Sequence, residues 1–266
     1  ADIPLRLAHC RENTYQLLTD WVQDPEPNRT IRHEVRRQLD LVAYIGSRTG
    51  NERMSLSVPH ECRSRVLGLL RELKINHARP VVVMHPGATA PSRRYPAESF
   101  AEVARRLTVE FGWQILFTGT ESEHELIGSI HSLVGAGVSH SLAGRLDLGE
   151  LAALIAYAPL LIANNTGPVH IAAAVGTPVV DLYALTNPQH TPWSVPHRVL
   201  SHDVPCKYCY KSVCPEGHHN CLRLVSPGQV VTAARELLEE TSPRFRAKIA
   251  ANLTEYGFAK RKRLGL

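Results

Sequence analysis

From residue 80 to residue 240 the chain alternates short β-branched runs with amphipathic helical patterns, and this alternation limits the fold more than any other feature. "VVVM", "WQILFT", "LLIA", "PVVDLY" and "HRVLS" read as strands, with a weaker one near "VSHSLA". Between them lie helical stretches such as "PAESFAEVARRLTVEFG" and "ESEHELIGSIHSLV". A strand followed by a helix and another strand implies a right-handed crossover, so the strands run parallel and are buried on both faces. The expectation is an α/β protein with a doubly wound, Rossmann-like parallel sheet over residues 79–240.

Local signals mark the helix ends. Pro96 stands in the first turn of one helix and Gly112 just beyond its end. Asp147 and Glu150 form a capping box ahead of "LGELAALIAYA". Ser226 reads as an N-cap with Pro227 at the first helical position of "SPGQVVTAARELLEE". Residues 1–78 offer less: the strand-like "IPLRLAH", the irregular "DPEPNRT", the helical patterns "IRHEVRRQLDLVAYIG" and "ECRSRVLGLLREL", and "KINHARP", which reads as a linker. That is too little for an α/β core of its own. The opening "ADIPLRLAHC" reads as the middle of a strand pattern, as expected of a chain whose first portion is absent.

Hydrophobic content of 44% with 21% charged residues fits a folded chain, and no apolar run reaches the length of a membrane-spanning helix. The net charge of +5 is partly concentrated in residues 241–266, a basic helical end with seven Lys/Arg against one Glu after residue 243. Such an end suits an anionic lipid surface, and equally a solvated helix terminus. Aromatic residues make up 6% and are not interleaved with the basic ones, so nucleic acid is not an expected partner.

In a doubly wound sheet, ligands bind where strands end and helices begin. The most informative such edge is "NNTGPVHIAAAVG" after "LLIA". Pro168 at the first helical position lacks an N–H, Thr166 or Gly167 becomes the cap, and the free N–H groups of the first turn form a site for a diphosphate. Gly167 lets a phosphate approach the backbone, and Asn165 can brace the turn. His170, in the first turn, either donates to a phosphate or packs on the sheet. A second edge, "HPGATAPSRRYP", offers Thr89 and Ser92 with Arg93 and Arg94, a set suited to pyrophosphate. A third, "TGTESEHE", presents Glu121 and Glu123, which either accept from ribose hydroxyls or serve the helix dipole. No G-x-G-x-x-G follows a strand, and no cofactor is expected.

Four of the six cysteines, Cys206, Cys209, Cys214 and Cys221, fall in a C-x2-C-x4-C-x6-C loop that also holds His218 and His219. The spacing is compatible with a zinc site, with reduced thiols in a surface loop, or with disulfides. A metal- or redox-responsive protein built on this loop is one functional alternative.

"HPGATAPSRRYP", "TGTESE", "NNTGPVHIAAAVGTPVVDLYALTNP" and "CKYCYKSVCPEGHHNCL", in that order, resemble glycosyltransferase family 9, the lipopolysaccharide heptosyltransferases. The resemblance implies the C-terminal, donor-binding half of a two-domain GT-B enzyme. It implies transfer of heptose from an ADP-activated donor to a lipid-linked lipopolysaccharide core acceptor, by an inverting reaction without a metal. The protein would be cytoplasmic, working at the inner face of the inner membrane. Thr89 and Arg93 would hold the diphosphate, Glu123 or Glu121 the ribose, and Thr166, Gly167 and the helix start before His170 the phosphate and sugar. Family members usually carry an aspartate where this chain has Asn165, and their catalytic aspartate lies in a segment this chain lacks, so no catalytic base is assigned. The alternative is a module that binds a nucleotide without transferring sugar.

Overall fold

The computed structural model describes residues 3–10, 16–23, 31–135, 137 and 139–255. The "DPEPNRT" connection and the basic end after Glu255 lie outside the described residues. Two short parallel strands, β1 (Leu7–Cys10) and β2 (Asp20–Gln23), pair with each other near the start. Helices α1 (Glu34–Tyr44) and α2 (His60–Glu72) follow. The main sheet then takes β3 (Val81–His85), β4 (Gln114–Phe117), β5 (Ser139–Ser141), β6 (Leu160–Asn164), β7 (Val179–Leu182) and β8 (His197–Leu200). The helices between and after them are α3 (Ala97–Phe111), α4 (His124–Val134), α5 (Leu148–Tyr157), α6 (Gly167–Val175), α7 (Asn220–Arg223) and α8 (Pro227–Glu255).

All six strands are parallel, in the order β5-β4-β3-β6-β7-β8. Counted within the sheet, this is the doubly wound order 3-2-1-4-5-6, and the chain reverses direction between β3 and β6. Alternate side chains of one strand enter opposite cores. Val82 and Met84 pack with Phe100, Leu107, Ile127, Ile130, Val230 and Leu237 under α3, α4 and α8. Val81 and Val83 pack with Val66, Leu70, Leu154, Ile155 and Val169 under α2, α5 and α6. β3 is buried along its whole length, which is why "VVVM" carries no polar alternation.

Several helix ends match the sequence expectations. Asp147 accepts from the Glu150 N–H at 2.7 Å while Glu150 accepts from the Asp147 N–H at 2.8 Å. Ser226 accepts from the Gln229 N–H at 3.2 Å ahead of Pro227. Gly176 closes α6 in the left-handed region (φ 78°), where a β-carbon would be strained.

Other features differ from the sequence reading. β2 was not anticipated, because four residues with one apolar pair give no periodic signal. α2 is part of the sheet's own core: Val66, Leu67 and Leu70 form a stripe at helical spacing that packs on α5. "KINHARP" is tied down, with Ile75 buried, the Asn76 N–H bonded to Gln114 Oε1 at 2.7 Å, and His77 Nδ1 2.6 Å from the Tyr157 hydroxyl. α8 continues through Glu255 rather than ending near residue 240.

The placement of α2 sets an expected outcome. Leu70 has no exposed surface, and Leu70→Ala should cost about 2–5 kcal/mol by lost burial and a residual cavity. Urea unfolding would show this as a lower midpoint. A cost under about 0.5 kcal/mol, as surface substitutions give, would mean that α2 contributes little to the sheet domain.

Candidate functional site

The C-terminal ends of β3 and β6 flank the switch point, and the loops leaving them face each other across a cleft of about 410 Å³ lined by Thr89, Arg93, Thr166, Gly167 and Ser212. Asn164, the last residue of β6 and fully buried, joins the two loops. Its Nδ2 donates to the Pro86 carbonyl at 2.7 Å and its Oδ1 accepts from the Tyr95 N–H at 3.0 Å. Sequence reasoning gave Asn164 no role. Two adjacent asparagines at a strand end were the available signal, but which loop each reaches depends on the sheet order.

Thr166 is the N-cap of α6, with extended backbone. Its hydroxyl donates to the Asn164 carbonyl at 3.2 Å and does not cap the helix. The start of α6 therefore presents Gly167 and its positive dipole end to the cleft without a side chain in between. A Cβ built on Gly167 would meet nothing within 4 Å. No internal contact requires glycine there, and the missing side chain leaves the cleft open.

Arg93 projects from the β3 loop toward this turn. Its Nε is buried without a hydrogen-bond partner, and its charge is felt by Tyr183 and His190. Arg94, by contrast, turns back and donates from Nε to the Ala88 carbonyl at 2.8 Å, bracing its own loop. Thr89 stands exposed at the cleft rim.

Glu123 lies at the end of β4, where it performs a capping role. Oε2 accepts from the Thr120 N–H at 2.8 Å and the Thr120 hydroxyl at 3.0 Å. The carboxylate also lies against Gly87, where a Cβ would fall 1.9 Å from Oε1. Glycine at 87 thus lets the β3 loop and Glu123 meet. Glu121 leans instead over Gly144. The cleft lining includes neither glutamate.

His170, in the first turn of α6, lies edge-on to His190 with ring centroids 6.3 Å apart. Burial pushes the basicity of both down; the charge of His190 adds to this at His170, while Glu34 opposes it at His190. The start of α1 docks beside this pair. The His33 ring contacts the Thr191 carbonyl through Nε2 at 2.7 Å and stacks on Trp193 at 4.4 Å, while the Glu34 N–H donates to the Gln189 carbonyl at 3.0 Å.

Asn165 does not face the cleft. It is 6% exposed, and its Nδ2 donates inward to Asp181 Oδ2 at 2.9 Å and to the His190 carbonyl at 2.8 Å. Asp181, on β7, is fully buried, its Oδ1 has no partner, and burial pushes its pKa up to about 8, opposed only by the bond from Asn165. Asp181 carried no sequence signal, since a lone acid within "PVVDLY" is indistinguishable from a solvent-facing strand residue.

The cysteine loop forms one wall of the cleft. The Ser92 N–H donates to the Ser212 carbonyl at 3.0 Å and the Ser92 hydroxyl to the Lys211 carbonyl at 2.8 Å. All six thiols are free, and Cys206 Sγ lies 3.7 Å from His218 Nε2. Among the described residues no three His, Cys, Asp or Glu side chains are grouped so as to hold a metal ion.

With this geometry in place, comparison with known proteins is informative. The family model for glycosyltransferase family 9 (heptosyltransferase) matches residues 9–220. The chain belongs to this family. Lipopolysaccharide heptosyltransferase 2 of Salmonella typhimurium is 29% identical over 174 residues, covering 64% of this chain and 50% of that protein. The chain thus spans about half the length of the curated relatives it matches. Among solved structures, a family 9 glycosyltransferase from Veillonella parvula superposes with a TM-score of 0.76 at 25% identity, over 89% of this chain and 68% of the other. The E. coli ADP-heptose LPS heptosyltransferase II gives 0.69 at 26% identity, over 90% and 71%. The fold is thus of the GT-B glycosyltransferase type seen in these family 9 structures.

The buried acid sets a pH dependence. A carboxyl whose acidity is weakened from 3.8 to about 8 by folding binds its proton more tightly in the folded state. Its contribution is therefore fully present below about pH 4 and is lost as pH rises through 8. Asp181→Asn should remove that loss, gaining on the wild type by up to about 1 kcal/mol per pH unit within this window. Urea unfolding at pH 5, 6.5 and 8 checks it. A constant difference across the three would mean that Asp181 is ionised throughout.

Proposed function

We propose that this chain is the donor-binding half of an inverting glycosyltransferase that moves heptose from ADP-heptose to a lipid-linked lipopolysaccharide core acceptor. The reading rests on family membership and on one observation: the start of α6, with Gly167 and no side-chain cap, lines the same cleft at the sheet's switch point as Arg93, whose buried Nε has no partner within the protein. A helix N-terminus and a guanidinium together suit a diphosphate. The likeness to the E. coli ADP-heptose LPS heptosyltransferase II supports the choice of donor. The names of the curated relatives support the acceptor class.

In this reading Arg93 and Thr89 hold the diphosphate with the N–H groups at the start of α6. His170 donates to a phosphate or sugar oxygen, and the Glu123 carboxylate, seated against Gly87 of the β3 loop, accepts from a ribose hydroxyl. Asn165 acts from behind the turn. An acceptor hydroxyl attacks the anomeric carbon from the face opposite the leaving ADP, so the new glycosidic bond forms with inversion. The negative charge that develops on the departing diphosphate is stabilised by Arg93 and the α6 dipole. The attacking hydroxyl's proton goes to a base that is not assigned among these residues. A lipid-linked acceptor would place the reaction at the inner face of the inner membrane.

Thermal unfolding with ADP, UDP, GDP and NAD tests the nucleotide. A ligand at about one hundred times its dissociation constant adds roughly 2.7 kcal/mol. ADP is expected to raise Tm alone, and Arg93→Ala to abolish the rise. Equal protection by UDP or GDP would remove the case for ADP-heptose.

Gly167→Val supplies a separate check. Its Cβ meets open space, so stability should change by less than about 1 kcal/mol while ADP protection disappears. Retained protection would put the diphosphate elsewhere.

A further inference from the structure

Residue 165 faces two oxygen acceptors, Asp181 Oδ2 at 2.9 Å and the His190 carbonyl at 2.8 Å, and it is 6% exposed. A carboxylate at this position would offer neither acceptor an N–H: it would repel the His190 carbonyl and could meet Asp181 only by sharing a carboxyl proton. The amide of Asn165 satisfies both, and so ties β7 and the 186–193 loop to the turn that opens α6. That loop is held on its other side by Tyr183, whose hydroxyl donates to the Asn187 carbonyl. Asp181 has one neutral donor and a second oxygen with none, which is no environment for a buried anion. Ionised, it would place a negative charge directly behind the turn proposed to receive an anion.

We propose that Asp181 is a positioning residue for the donor site: in its neutral form it holds the Asn165 amide, and through it the Thr166–Gly167 turn, in the arrangement that accepts a diphosphate. The proposal rests on the donor-site reading above. Its consequence is a loss of nucleotide affinity at alkaline pH that originates in Asp181. The groups facing the same space do not produce it. His170 and His190 are shifted down by burial and shed their protons at lower pH, Tyr183 is pushed up to about 12, and Arg93 is the same in all the proteins compared. Whatever else titrates is common to the wild type and an Asp181 variant, and cancels between them.

The experiment measures ADP affinity of the wild-type chain, Asp181→Asn and Asn165→Asp at pH 6.5, 7.5, 8.5 and 9.2. Unit charges several ångströms apart in a partly screened interior differ by more than 1 kcal/mol, so wild-type affinity should fall about tenfold or more across the series. Asp181→Asn, which keeps an acceptor for Asn165 and cannot ionise, should give a flat profile. Asn165→Asp should bind weakly at every pH and worst at the alkaline end. Superimposable wild-type and Asp181→Asn profiles would overturn the proposal.

A ligand-free readout separates this outcome from failure of the donor reading. The imidazole carbon–proton NMR signals of His170 and His190 report the position of the turn. They should move between pH 7.5 and 9.2 in the wild type and stay fixed in Asp181→Asn. If ADP fails to bind at any pH but these signals behave so, the donor assignment is wrong and Asp181 still sets the turn. If the signals of both proteins move alike, Asp181 does not position the turn.

Discussion

The arrangement of the cleft depends on the bonds made by Asn164. One fully buried amide at the end of β6 binds the Pro86 carbonyl and the Tyr95 N–H, so it fixes both ends of the loop that carries Thr89 and Arg93. Removing it would leave two buried backbone groups unpaired, a penalty of about 1–3 kcal/mol for each. Without this link the β3 and β6 loops would be neighbours by topology only, and Arg93 would have no fixed position relative to the start of α6.

Asn165 repeats the device one residue later and in the other direction. Asn164 reaches the loop after β3 on one flank of β6, and Asn165 reaches β7 on the other. The turn that follows is held from both flanks by backbone and buried groups. It can therefore leave Gly167 and the positive end of α6 open to the cleft. The site proposed above for a diphosphate is thus preorganised by side chains that do not line the cleft. The cysteine loop extends the principle: Ser92 holds Lys211 and Ser212 against the cleft from a segment remote in sequence.

The buried Asp181 and the capping Glu123 show how much of a residue's character comes from its place in the fold. Glu123 was weighed as a ribose ligand or a dipole partner, and the fold gives it a capping bond and a close seat on Gly87. The capping bond comes from its position three residues after Thr120, a local spacing, and the seat on Gly87 from the pairing of β3 with β4. Asp181 takes its character from depth in the sheet, which no local spacing encodes. Asn165, read as a brace for the turn, does brace it, but against β7 and the 186–193 loop rather than within the turn itself.

What the sequence determined by itself was whatever short-range physics governs. The alternation of apolar runs with helical patterns required parallel strands. Asp147, Glu150, Ser226 and Pro227 marked helix starts, and the unadorned Thr-Gly-Pro turn announced an open helix N-terminus. The tertiary structure decided what depends on distant residues meeting. It brought α2 into the sheet's core, bound the 75–79 segment to β4 and α5, paired Asn164 with the β3 loop, and set Asp181 behind the α6 turn. Such contacts are fixed by strand order and by which face of the sheet a residue occupies, and both are settled only when the whole sheet assembles.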